Sequence, residues 1–61
     1  FSRSLYVVKD VKEGDEVSND NVKSIRPGFS LHPKFYKKIL GKKFKKSMSK
    51  GNRLTLNDFI D

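Results

Sequence analysis

The chain has 61 residues, a net charge of +7 and no cysteine. A chain this short makes one domain at most, burying only about 60% of the surface its unfolded form exposes. Disulfide stapling and cysteine-based metal sites are excluded, and no apolar run approaches the ~20 residues of a membrane span.

"SLYVVKDV" (Ser4–Val11) is rich in β-branched and aromatic residues and predicts a strand. "KEGDEV" follows as a turn around Gly14, and "SNDN" (Ser18–Asn21) predicts a short helical turn capped by the Ser18 hydroxyl. "VKSIR" alternates apolar and polar residues as a short strand, with Val22, Ser24 and Arg26 on one side and Lys23 and Ile25 on the other. Pro27-Gly28 matches the central pair of a type II turn. "HPKFYKKILGKK" predicts a short helix with Pro33 at its first position and Gly41 as its stop. Phe35, Tyr36, Ile39 and Leu40 form its apolar face, while Lys34, Lys37 and Lys38 point outward.

Residues Lys9–Val22 and Lys46–Phe59 align without gaps at an offset of 37. Gly14 matches Gly51, Ser18 matches Thr55, and Val11, Val17 and Val22 match Met48, Leu54 and Phe59. Neither unit buries its own apolar face, so the two halves are expected to pack together about a pseudo-twofold. The expected fold is therefore mostly β and compact, with short strands and single-turn helices.

Charge is unevenly placed. Residues 23–53 carry eleven Lys or Arg and no carboxylate, whereas residues 1–22 carry a net −2. Such a basic stretch suits an anionic partner or simply a solvated lysine face. "KKILGKKFKK" (Lys37–Lys46) would be the nucleic-acid candidate, with six lysines around Phe44. Its lack of arginine and the core position expected for Phe44 place that reading second.

Enzyme machinery is nearly absent. His32 is the sole histidine, has no evident catalytic partner and fits a helix start. Glu13, Asp15 and Glu16 lack metal-loop spacing and read as a solvated turn. Arg26 is different. The following proline biases it to an extended backbone, and a guanidinium held beside a stiff turn loses little entropy on binding an oxygen acceptor.

"RSLYVVKDVKEGD", "SIRPGFSLHP" and "LGKKFKKSMSKGNRL", in that order and spacing, resemble the C-terminal antifreeze-like (SAF, β-clip type) domain of the sialic acid synthase family, from Arg3 to about Phe59. "RPGFSLHP" looks most like bacterial synthases of N-acetylneuraminic, legionaminic or pseudaminic acid. The resemblance implies a piece of a longer cytoplasmic enzyme, in keeping with a chain that opens on Phe1 rather than Met. That enzyme would condense phosphoenolpyruvate with an N-acylated amino sugar, on a preceding TIM barrel holding divalent Mn or Mg. It implies a domain-swapped homodimer in which this domain caps the partner's barrel and is itself non-catalytic. By motif position Arg26 would bind the substrate N-acyl group, and Pro27, Gly28 and Phe29 would shape the lid loop. The same likeness extends to type III antifreeze proteins, but the corresponding face carries Lys12, Glu13, Glu16, Asn19, Asp20 and Asn21, too polar for ice binding.

Overall fold

A computed structural model describes residues 2–61; Phe1 lies outside the described residues. Two antiparallel strand pairs form its frame: β1 (Ser4–Val7) with β2 (Val22–Ile25), and β3 (Lys43–Phe44) with β4 (Phe59–Ile60). Between them lies a one-turn helix, α1 (Tyr36–Ile39), led in by a 3-10 turn over Pro33–Phe35. A second 3-10 turn, Leu56–Asp58, precedes β4. The mostly β fold of short strands and single-turn helices expected above is the one observed.

β1 is the central strand. It pairs with β2 on one side, and on the other it forms bridges from Leu5 to Leu31 and from Tyr6 to Arg53. All four of its residues are buried, including Ser4. The predicted strand is longer than the real one. The β1–β2 ladder ends on a bond from the Val8 amide to the Asn21 carbonyl (2.8 Å), the chain bends at Lys9, and bridging resumes only at Val11.

Contacts recur with the offset of the sequence repeat. Val11 and Met48, which are counterparts, exchange both backbone hydrogen bonds, at 2.9 and 3.0 Å. Gly14 N–H donates to the Phe44 carbonyl and Gly51 N–H to that of Val7, both at 2.8 Å. Val8 N–H to Asn21 and Lys45 N–H to Asp58 form another matched pair, also at 2.8 Å each. Gly14 and Gly51 share a left-handed backbone, φ +89° and +91°, which an L side chain adopts only at a cost. Both capped turns also repeat: the Ser18 amide donates to the Asn21 side chain (2.9 Å) and the Thr55 amide to Asp58 (2.8 Å).

The core gathers apolar residues from every part of the chain: Leu5, Val7, Val11, Val17, Val22, Ile39, Phe44, Met48, Leu54 and Phe59. The rings of Phe44 and Phe59 meet tilted, with centroids 5.5 Å apart. Leu31 and Tyr36 close the cluster at its rim. Leu40, placed on the apolar helix face by its spacing, is instead exposed: its ψ of 131° takes the chain out of the helix before Gly41 turns it.

Candidate functional site

Arg26 sits immediately after β2, on the exposed loop that runs to Leu31. Pro27, Gly28 and Phe29 are exposed with it, and the Phe29 ring is 67% accessible. The turn differs from the predicted type II form. The Arg26–Pro27 peptide bond is cis, and Gly28 does not adopt the positive φ that a type II turn needs. Glycine is required at position 28 for a different reason. A Cβ there would come within 2.5 Å of the Ser2 Cβ, so the loop lies directly against the segment leading into β1.

Two serines fasten this loop to the frame. The Ser4 hydroxyl, only 1% exposed, donates to the Pro27 carbonyl (2.8 Å) and accepts from the Ser30 amide (3.1 Å), pinning both ends of Pro27–Ser30 to the central strand. The Ser30 hydroxyl in turn accepts from the Leu54 amide (2.6 Å) and donates to its carbonyl (3.4 Å). No sequence pattern singled out either serine. Their partners lie 23 to 26 residues away, beyond any local period.

Arginine is concentrated here. Arg3, Arg26 and Arg53 are the three arginines of the chain. Arg3 donates to the Ser24 carbonyl at 3.3 Å, and the Arg53 guanidinium lies over the Phe29 ring, 5.7 Å from its centroid. Two adjoining depressions share Ser2 and Gly28. One, of about 270 Å³, is lined by Ser2, Arg26, Pro27, Gly28 and Phe29. The other, of about 340 Å³, includes Arg3, Ser30 and His32. The first joins a fork of hydrogen-bond donors to two apolar rings, and neither lining contains a carboxylate.

His32 takes the role expected of it. Its Nδ1 accepts the Lys34 amide at 3.0 Å and Pro33 follows at the first helical position, so it caps the 3-10 turn. Asp15 likewise closes its own turn, its carboxylate accepting the Lys12 amide at 2.8 Å. Among the described residues no group of three or more His, Cys, Asp and Glu could hold a metal ion. No helix among them is long and apolar enough to cross a membrane.

The lysine segment offers no ring for base stacking at Phe44, which is wholly buried. Lys42 is engaged by Asp61 at 2.7 Å. That hydrogen bond, and then the charge of Lys42, hold the Asp61 carboxyl below its ordinary range. Of the polar face set against ice binding, Lys12, Glu13, Glu16, Asn19 and Asp20 are exposed, but Asn21 is not. It is buried because its side chain accepts from Ser18 and donates to the Glu16 carbonyl (2.9 Å).

Comparison with known proteins converges on one group. The family model described as SAF domain matches residues 2–60. Pseudaminic acid synthases from two serotypes of Campylobacter jejuni are each 54% identical over 59 residues, covering 97% of this chain and 17% of the relative. The pseudaminic acid synthase of Helicobacter pylori is 45% identical over 58 residues, 95% of this chain and again 17% of the relative. The chain thus spans about one-sixth of the length of these relatives.

Proposed function

Because the chain belongs to the SAF-domain family, we propose that it is the substrate-capping domain of a nonulosonic acid synthase of the pseudaminic acid type. The parent enzyme would be cytoplasmic and would condense phosphoenolpyruvate with an N-acylated amino sugar in a barrel that carries the divalent metal. In this reading the domain covers the barrel of the opposite subunit in a homodimer. Arg26 then donates to the oxygen of the substrate's N-acyl group.

One observation carries the proposal for Arg26. It follows β2 directly and begins a loop tied at two points to the buried Ser4 hydroxyl, so its guanidinium is presented from a fixed base. A donor so anchored loses little conformational freedom on binding. Identity of 45–54% to pseudaminic acid synthases supports the choice of enzyme. The contacts that recur at an offset of 37 support a pseudo-twofold relation between the halves, which would give the cap a rigid body.

The test is Arg26→Ala in the full-length enzyme. A charge-assisted hydrogen bond is worth about 1.5–3 kcal/mol, so kcat/KM for the amino sugar should fall roughly tenfold to a hundredfold or more. Binding of phosphoenolpyruvate should be retained. Wild-type kinetics in this variant would remove Arg26 from the site.

A further inference from the structure

Phe29 is a large apolar ring left 67% exposed, yet it is held in place. The Arg53 guanidinium lies over its face, and the Arg53 backbone is bridged to Tyr6 on the central strand. The next residue along, Ser30, is bonded to the neighbour of Arg53, Leu54, at both its amide and its carbonyl. Two consecutive loop residues are therefore seated on two consecutive residues of the frame. A ring needed only to fill space would be turned inward. This one is turned outward with the Arg53 guanidinium over it, and it lines the same depression as Arg26 and Pro27.

That depression combines a donor fork with two apolar rings. Its floor is set by the close approach of Gly28 to Ser2. An acyl group has the complementary parts, a carbonyl oxygen and a short alkyl chain. We propose that Phe29, with Pro27, reads the alkyl part of the substrate's N-acyl group, and that Arg53 is the positioning residue that holds the Phe29 ring. The inference rests on the reading of Arg26 given above and adds the basis of acyl selectivity to it.

One methyl group in an apolar pocket is worth roughly 10- to 200-fold in kcat/KM, and an open wall belongs at the lower end of that range. Full-length Phe29→Ala should therefore lower kcat/KM for the N-acetyl sugar about tenfold while leaving the N-formyl analogue nearly unchanged. Phe29→Leu should give a smaller shift in the same ratio. Arg53→Gln should move the ratio in the same direction by about two- to fivefold, the worth of an exposed cation–π contact, and Arg53→Lys should restore it. A ratio unchanged in Phe29→Ala and Phe29→Leu overturns the proposal, whether or not both rates fall together. An unchanged ratio alongside an impaired Arg26→Ala sinks this inference alone. Wild-type kinetics in Arg26→Ala sinks the reading beneath it.

Discussion

Ser4→Ala removes one oxygen from the centre of the molecule and cuts two bonds at once. The hydroxyl is 1% exposed and serves the Pro27 carbonyl and the Ser30 amide, so the substitution leaves both without their partner. If the loop lifts away and both groups find water, the loss is the net worth of two hydrogen bonds, about 2 kcal/mol. If the loop stays in place, unpaired groups raise the cost to about 4 kcal/mol. A domain of this size has only about 3–9 kcal/mol of stability at ~0.05–0.15 kcal/mol per residue, so the smaller figure already matters. It corresponds to a drop in Tm of roughly 8–16 °C. Thermal denaturation would read the total. Hydrogen exchange at the Ser30 amide would report the loop itself, which should lose protection. Ser47→Ala, at an exposed position, serves as control and should stay within about 0.5 kcal/mol of wild type. A Ser4→Ala variant as stable as that control, with the Ser30 amide still protected, would refute the argument that Ser4 anchors the loop.

Gly14→Ala and Gly51→Ala each place a side chain at φ near +90° with nothing within 4 Å of the new Cβ, so the cost is purely conformational. Urea melts should show about 1–2 kcal/mol for each and similar values for the two; one neutral substitution would break the equivalence of the turns. Asn21→Asp replaces the amide that donates to the Glu16 carbonyl with an acceptor in a buried position, and should cost about 2 kcal/mol. Asp58→Asn at the counterpart turn keeps an oxygen for the Thr55 amide and should cost clearly less, which the same melts would check. The depressed Asp61 carboxyl contributes its stabilisation above the ordinary value of 3.8 and loses it as pH falls through its lower folded value. Melting temperature should therefore decline less steeply with acid in Asp61→Asn, and equal slopes would show that the contact with Lys42 contributes nothing.

What could be read in the sequence was what local chemistry dictates. Gly14 and Gly51 announce left-handed turns, Ser18 and Thr55 announce caps, and His32-Pro33 announces a helix start, because each residue type suits a neighbouring backbone need. The position of Arg26 beside a stiff turn was legible for the same reason. The turn type was not, since Gly28 answers to Ser2, far from it in sequence, rather than to its own φ. Leu40 misled because helical spacing says nothing about where the helix stops. Arg53 gave no signal at all. Its neighbour Leu54 reads as core, and only the tertiary fold brings the guanidinium over Phe29.

The place where the matched contacts stop matching is informative about the loop. Val17 and Leu54 are counterparts and both are core residues. In the first half the Val17 amide donates to the Lys42 carbonyl (2.8 Å) and its carbonyl accepts the Gly41 amide (3.1 Å), so backbone meets backbone where the chain leaves α1. In the second half the Leu54 amide and carbonyl are both engaged by one side chain, the hydroxyl of Ser30. A backbone contact survives most substitutions, whereas this one depends on a single residue type on the Arg26 loop. The loop is thus a structural part of the second half rather than an appendage to it. The segment that carries Arg26 and the exposed Phe29 is therefore positioned by two serine hydroxyls, those of Ser4 and Ser30, rather than by strand pairing of its own.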